Sequence, residues 1–306
     1  MDSLKRISFP REGFAKIATL WRSLRHLFQI IRPVNVLLLF VGAWVGGILE
    51  INEYAFSPPY YKQLLIAALS AALIGSGANA LNDYFDISID AINKPSRPLP
   101  SRKLSPTLAW HAGWLLLTLG WLLSLSLSSL HVLVASLAIL LSYLYNRKLK
   151  HYPLVGNGLV AALVALGILY GSLTTGLPEI GWIGSLFAFL VMFIRELIKD
   201  AEDINGDRAA QLHTFPIAYG IPATCKVLRI LILITLFLTP FPYLLGLFSA
   251  WYLLFIGITD GLLWYIYGAL FLKNPPDAHW ATLSLAAKLG AIAGIIALTT
   301  GRLTSI

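Results

Sequence analysis

Two stretches of this sequence concentrate acidic and amide side chains at spacings that could hold a metal ion. Residues 81–90 read LNDYFDISID, and on a helix Asn82, Asp86 and Asp90 recur every fourth residue and share one face, with Asp83 within reach. Carboxylates crowded in this way repel one another unless a cation lies among them. Hard oxygen ligands suit Mg²⁺, which keeps several waters and bridges to substrate phosphates.

A second acidic stretch lies far downstream, where residues 195–207 read RELIKDAEDINGD. Its members Glu196, Asp200, Asp203 and Asp207 are spaced by four, three and four residues, again on one helical face while the helix lasts. Together the two stretches hold eight of the 15 acidic residues. We therefore predict that the two acidic faces meet across one cavity and share one ligand.

The elements that must position these faces are membrane helices. The chain has 306 residues, of which 57% are hydrophobic and 12% charged, and its mean hydropathy is +0.73. About 20 apolar residues cross the hydrocarbon core of a bilayer. We predict an all-α, polytopic bundle of about nine transmembrane helices around a central cavity. The expected spans lie near 33–52, 62–82, 107–128, 131–147, 153–175, 181–199, 222–241, 243–271 and 280–301.

The distribution of the +8 net charge indicates how the chain is oriented. If the N-terminus is cytoplasmic, nearly all lysines and arginines fall on the cytoplasmic side, and only Lys62 and Arg302 fall opposite, with Lys288 inside the last span. We therefore expect an integral, multi-pass protein with a cytoplasmic N-terminus, both acidic loops cytoplasmic and the C-terminus outside. The lipid bilayer is its partner, and nucleic acid is excluded.

The pattern divides the chain into two parts. Residues 1–32 alternate basic and apolar side chains as a basic amphipathic segment lying on anionic lipid would, and 33–306 form a single transmembrane domain.

Several cations near the acidic faces could contact a phosphate. Lys94 and Arg97 stand directly after Asp90 in a proline-rich loop and suit a diphosphate beside a metal site. Arg32, with Asn35 just after it, opens the first span as a membrane anchor or as a contact to an anionic ligand. Tyrosine and basic residues at the end of the fourth span are equally consistent with interfacial anchors. One further acid, mid-span, is either functional or paired with a polar neighbour; this is Asp260.

The motif Asn82-x-x-x-Asp86-x-x-x-Asp90 followed by NKPSRPLP, paired with KDAEDINGD and then TFPIAYG, resembles the UbiA-type intramembrane prenyltransferases. The resemblance spans nearly the whole chain and makes 33–306 the prenyltransferase domain. It implies a polyprenyl diphosphate donor, a hydrophobic acceptor and a Mg²⁺ cofactor, with two ions expected. The implied metal ligands are Asn82, Asp86, Asp90, Asp200, Asp203 and Asp207. The implied catalytic residues are Asp86, Asp90, Asp203, Asp207 and Tyr145. The candidate substrate contacts are Arg32, Asn35, Lys94, Arg97, Tyr145, Lys148, Arg195 and Lys199.

Within this family the second motif is most similar to the ether-lipid branch, which transfers geranylgeranyl groups to geranylgeranylglyceryl phosphate. An aromatic acceptor of the 4-hydroxybenzoate, homogentisate or chlorophyllide type is the alternative. A membrane ion or phosphate transporter is the alternative of another class, although transporters usually place coupling residues near the midplane. Arg102 and Gln211 stand where the family often has glycine, and these two departures bear on the loop conformations.

Overall fold

The computed structural model describes residue 21 and residues 23–58, 60–272 and 277–305. Every regular element in these ranges is helical, which confirms the predicted all-α class. Most of the predicted amphipathic segment 1–32 lies outside the described residues, and within it residues 23–30 are helical.

Short connections join the successive helices of the bundle. In chain order the helices are α1 Pro33–Ile51, α2 Tyr60–Phe85, α3 Ile87–Asn93, α4 Pro106–Ser124, α5 Ser129–Arg147, α6 Val155–Ser172, α7 Gly181–Glu202, α8 Ile204–Ala209, α9 Phe215–Leu238, α10 Phe241–Leu244, α11 Ala250–Ala269 and α12 Asp277–Leu303. Three 3₁₀ turns lie between them at Asn52–Phe56, Leu149–His151 and Leu173–Thr175.

Eight helices within the described residues are long and apolar enough to cross a membrane: α1, α2, α5, α6, α7, α9, α11 and α12. One of the nine expected spans, near 107–128, is not among these eight. It corresponds to helix α4, which has 19 residues. Its histidine and three tryptophans lower its hydropathy. The buried residues of α4, including Ala109, Gly113, Leu117 and Gly120, form one stripe that packs on α2.

Local sequence signals explain where several spans begin. Proline occupies the first turn of α1 and α4, where its missing N–H is not needed. The Ser105 hydroxyl accepts a hydrogen bond from the Leu108 N–H at 3.1 Å and caps α4. The expected span 243–271 begins later, at Ala250, because a short proline-containing helix and a turn at Gly246, with φ 71°, precede it.

Small residues let α1 and α6 approach closely. The Ser172 hydroxyl donates to the Gly46 carbonyl at 2.9 Å, and a methyl group at Gly171 would overlap the Ala43 carbonyl. At the same end of the bundle, the Glu50 carboxylate accepts N–H groups of Glu179 at 3.0 Å and Gly181 at 2.7 Å. These contacts fix α1, α6 and α7 against one another, and all three carry residues of the site described next.

Candidate active site

The first acidic stretch spans the joint between α2 and α3. Helix α2 ends at Phe85, and Asp86 adopts φ −96° and ψ 10° before α3 begins. The i to i−4 hydrogen bonds nevertheless continue, from the Asp86 N–H to the Asn82 carbonyl at 2.9 Å and from the Asp90 N–H to the Asp86 carbonyl at 2.7 Å. The helical spacing of the three side chains therefore survives the break.

The second acidic stretch is built in the same way. Asp203 adopts φ −89° and ψ 5° between α7 and α8. Its N–H donates to the Lys199 carbonyl at 2.9 Å, and the Asp207 N–H donates to the Asp203 carbonyl at 3.0 Å. Each stretch thus places one aspartate at a helix joint and the next in the first turn of a short helix.

The two stretches line one polar pocket of about 100 Å³. Helices α3 and α8 contact each other across it, and the Asn93 side-chain amide donates to Asp207 Oδ1 at 3.3 Å. The expected metal ligands that line the pocket are Asn82, Asp86, Asp90, Asp200, Asp203 and Asp207.

Arginines neutralise the acids on the α2 side of the pocket. Arg32 Nη2 lies 2.5 Å from Asp83 Oδ1, and Arg97 Nη1 lies 2.6 Å from Asp90 Oδ2 and 3.4 Å from Asp83 Oδ1. Arg32 also donates to Asn82 Oδ1 at 2.9 Å. Two residues that sequence reasoning assigned to a substrate anion therefore pair with carboxylates of the chain itself.

Lysine and asparagine side chains pair with the other acids of the pocket. Lys150 forms an ion pair with Asp86, Lys94 Nζ lies 3.6 Å from Asp203 Oδ2, and the Asn157 amide donates to Asp200 Oδ2 at 2.8 Å. The pocket is thus internally paired. Consistent with this pairing, the described residues contain no group of three or more acids or other metal-binding side chains that converges on one point.

The donor set nevertheless has the chemistry that Mg²⁺ requires. The six expected ligands, five carboxylates and one amide, line one small pocket from two sides, and hard oxygen ligands are those that Mg²⁺ prefers. Occupation of the site by a divalent ion would require some carboxylates to exchange their present lysine or arginine partners.

The titratable groups of α3, α8 and the loop after α3 are tuned by burial. Burial raises the pKa of Asp207 to about 6, and the nearby Asp203 charge adds to the rise. Burial also raises the pKa of Asp90, although the Arg97 hydrogen bond acts in the opposite direction. Burial lowers the pKa of the Lys94 ammonium, and the Lys199 charge lowers it further. The charged forms of these groups are therefore disfavoured unless an opposite charge arrives.

A second cavity, the chamber, extends from the pocket into the bundle and has a volume of about 500 Å³. All eight candidate spans contribute to its lining, which is mainly alanine, glycine, leucine, isoleucine and valine. Residues shared by pocket and chamber form the junction between them: Arg32, Asn82, Lys94, Arg97, Tyr145, Glu196 and Lys199.

The expected substrate contacts differ in which cavity they line. Arg32, Lys94, Arg97, Tyr145 and Lys199 lie at the junction, whereas Asn35 and Arg195 line the chamber alone. Lys148 is exposed and lines neither cavity.

Sequence reasoning gave no role to several polar residues that surround the acidic stretches. Lys150 looked like one more cytoplasmic cation, but the 3₁₀ turn Leu149–His151 directs it to Asp86. Asn146 lines the chamber and accepts a hydrogen bond from Asn82 at 2.9 Å, whereas Asn157 of α6 lines the pocket and donates to Asp200. No spacing in the sequence singles out these residues, because each reaches the acidic stretches from a separate element.

Asp260 lies outside this site. Its Oδ2 accepts the Thr239 hydroxyl at 3.0 Å, and it lines neither the pocket nor the chamber. The polar neighbour that the sequence left open is therefore present.

The family model described as the UbiA prenyltransferase family matches residues 36–292. The chain belongs to the UbiA prenyltransferase family. It is therefore an intramembrane prenyltransferase, and not the transporter considered from the sequence.

Individual relatives agree with this placement. A digeranylgeranylglyceryl phosphate synthase of Sulfolobus acidocaldarius is 35% identical over 92% of this chain and 99% of its own length. A solved structure of digeranylgeranylglyceryl phosphate synthase is 30% identical, with a TM-score of 0.72 over 92% of this chain and 99% of that chain. A UbiA homologue from Archaeoglobus fulgidus bound to GPP and Mg²⁺ shares the fold at 18% identity, with a TM-score of 0.64 over 90% of this chain and 99% of that chain.

Proposed function

We propose that this enzyme transfers a geranylgeranyl group from its diphosphate to geranylgeranylglyceryl phosphate, with Mg²⁺ as cofactor. The observation that carries the proposal is the continuity of a polar pocket lined by both acidic stretches with an apolar chamber. A polyprenyl diphosphate has the same two parts. The names of the similar synthases support the choice of acceptor.

Two Mg²⁺ ions are part of the proposal, one at each acidic stretch. Asn82, Asp86 and Asp90 would hold the first, and Asp200, Asp203 and Asp207 the second. When bound, Mg²⁺ supplies Lewis-acid stabilisation of the charge on the leaving diphosphate.

The residues of the chain then have distinct tasks. Arg32, Lys94 and Arg97, once exchanged from their carboxylate partners, would bind diphosphate oxygens by charge-assisted hydrogen bonds. The bond between the allylic carbon and the diphosphate oxygen breaks at the junction, and the ring face of Tyr145 would stabilise the developing positive charge. The acceptor hydroxyl oxygen forms the new ether bond as diphosphate leaves, and the hydroxyl proton would pass to the leaving diphosphate. The apolar chamber excludes water from this step.

The orientation predicted from the basic residues also belongs to this proposal. Both acidic stretches and the N-terminus would face the cytoplasm, where a soluble pool of Mg²⁺ is available, and the C-terminus would lie outside.

Replacement of the joint aspartates tests the metal assignment. We expect Asp86→Ala and Asp203→Ala to abolish transfer while the purified proteins remain folded, because each removes a ligand from one proposed ion. Turnover is measured at limiting Mg²⁺ with a radiolabelled donor. Glu202→Ala is the matched control, since Glu202 is adjacent to Asp203 but exposed and outside both cavities. Wild-type turnover by either aspartate variant would remove the metal assignment.

A screen of acceptors tests the substrate. Purified enzyme and geranylgeranyl diphosphate are incubated with geranylgeranylglyceryl phosphate, 4-hydroxybenzoate, homogentisate or a chlorophyllide, and products are identified by mass spectrometry. We expect alkylation of the glyceryl phosphate only. Alkylation of an aromatic compound alone would overturn the acceptor and leave the family unaffected.

A further inference from the structure

Six cations line the chamber, and they differ in whether a carboxylate neutralises them. Five pair with an acid within 4 Å, and these are Arg32, Lys94, Arg97, Arg195 and Lys199. The sixth is Lys288 of α12. Across the described part of the chain, no carboxylate or hydrogen-bond acceptor contacts its ammonium group.

The depth of Lys288 follows from the way α12 packs on α7. Gly184 of α7 lies against Leu298 of α12. The start of α7 and the end of α12 both bond to the end of α1, through Gly181 to Glu50 and through Arg302 to the Leu49 carbonyl. The helices are antiparallel, so Lys288, ten residues before Leu298, stands at about the level of Arg195 along α7. This level is about 8 Å along α7 from Asp200, at a rise of 1.5 Å per residue.

The polar groups around Lys288 do not compensate its charge. The Thr259 hydroxyl, which lies beside Gly290 and Gly294 of α12, donates to the Gly290 carbonyl at 3.0 Å. The other two chamber-lining threonines donate elsewhere, Thr235 to the Leu231 carbonyl and Thr239 to the Leu236 carbonyl and Asp260. An ammonium group within a membrane span is costly unless an anion accompanies it. An anion that binds in the chamber at this position would therefore neutralise the Lys288 charge.

We propose that Lys288 binds the phosphate of the acceptor. This inference rests on the proposed function and adds the residue that recognises the acceptor's charge. The donor diphosphate has the pocket cations as partners, so a second phosphorylated substrate needs a cation elsewhere. Its reactive hydroxyl must lie at the junction beside the donor, and its phosphate, a few bonds away, lies within reach of a long lysine side chain one to two turns deeper.

The chamber wall beyond Lys288 leaves room for an apolar chain. Gly290 and Gly294 of α12 line the chamber just beyond Lys288 and have no side chain to fill it. The acceptor's prenyl chain would continue along these glycines while its phosphate stays at Lys288.

The test compares two acceptors that differ only in the phosphate, geranylgeranylglyceryl phosphate and geranylgeranylglycerol. For Lys288→Met we expect the KM of the phosphorylated acceptor to rise about tenfold to a hundredfold, the loss expected for a charge-assisted hydrogen bond. The KM of geranylgeranylglycerol and that of the donor should not change. Lys288→Arg keeps the charge and should restore most of the affinity.

Lys62→Met is the matched control, because Lys62 is an exposed lysine near the start of α2, the end of that helix opposite the acidic stretch, and lies outside both cavities. An unchanged KM for the phosphorylated acceptor in Lys288→Met, or an equal rise for both acceptors, would overturn the inference. If the wild-type enzyme instead alkylates only aromatic acceptors, the proposed function fails first and this inference fails with it.

Discussion

The ion pair between Lys150 and Asp86 gives the pocket a resident cation where a metal ion is proposed to bind. Both side chains are largely buried, with 11% and 18% of their surfaces exposed. Metal binding at Asp86 must therefore compete with Lys150. After the exchange, Lys150 is free to contact the diphosphate.

We expect Lys150→Met to move two binding constants in opposite directions. Without its competitor, Asp86 should bind Mg²⁺ alone about threefold to tenfold more tightly, a gain of up to about 1.4 kcal/mol. The KM of the donor should rise, because one diphosphate contact is lost. Mg²⁺ affinity is measured from the metal dependence of Tm in detergent, and the donor KM from initial rates.

Lys148→Met gives the comparison that decides between two lysines. Lys148 is the diphosphate candidate from the sequence, whereas Lys150 is the lysine that reaches the pocket. Equal shifts in both variants, or a shift only in Lys148→Met, would contradict the assignment to Lys150.

Two departures from the family pattern have a simple backbone explanation. Arg102 and Gln211 have φ values of 57° and 56°, in the left-handed region that glycine adopts most easily. Each closes a turn with the same pair of bonds: Arg102 to the Leu99 carbonyl at 3.0 Å with the next residue reaching Pro98, and Gln211 to the Arg208 carbonyl at 3.1 Å with the next residue reaching Asp207. The family resemblance implies glycine at these two positions, and the structure shows that Arg102 and Gln211 adopt the conformation that glycine adopts most easily.

At the scale of elements, α1 packs closely on α6, and both helices contribute to the wall of the chamber. Gly46 and Gly171 allow the two backbones to touch, and small residues are the usual means of close helix association in membranes. Helix α1 follows directly on Arg32, and α6 carries Asn157. The contact therefore holds α1 against α6 at the end of the bundle opposite the pocket.

We expect Gly171→Ala to destabilise the protein by about 1–3 kcal/mol, as overpacking of a well-packed interior does. The added methyl group would overlap the Ala43 carbonyl, and backbone cannot move aside as a flexible side chain can. Thermal unfolding in detergent measures the change. Gly257→Ala in α11 is the control, because no atom lies within 4 Å of the added carbon. Alanine has a higher helix propensity than glycine at both positions, so an equal loss in Gly257→Ala would contradict the packing explanation.

Elements were more predictable than the contacts between them. Runs of apolar residues located the spans, and i, i+4 spacing located both acidic faces, because each depends on neighbours in the sequence. The joints at Asp86 and Asp203 escaped this reasoning, since helical hydrogen bonding continues through them. The approach of Lys150, Asn146 and Asn157 also escaped it, because tertiary packing alone decides which polar residue reaches a pocket.

At the scale of the whole molecule, the acidic stretches and the Glu50 contacts lie at opposite ends of the bundle. Helix α7 runs from Gly181, which the Glu50 carboxylate caps, to Glu202 beside Asp203. One end therefore offers the pocket, and the other is closed by hydrogen bonds between helix ends, including Arg302 to the Leu49 carbonyl at 2.8 Å. Which end faces the cytoplasm is a prediction from the basic residues alone.

Labelling of single cysteines tests this orientation. In a Cys225→Ser background, Lys103→Cys places a thiol in the exposed loop at the pocket end, and Leu177→Cys places one in the loop at the other end, where Leu177 is 78% exposed. We expect a membrane-impermeant maleimide to label Leu177→Cys in intact cells and Lys103→Cys only after permeabilisation. The Cys225→Ser protein alone gives the background, and retained prenyl transfer shows that each variant is folded. The reverse labelling would put the pocket outside, away from the cytoplasmic Mg²⁺ and diphosphates that the proposed reaction needs, because a polyprenyl diphosphate head group does not cross the hydrocarbon core unaided.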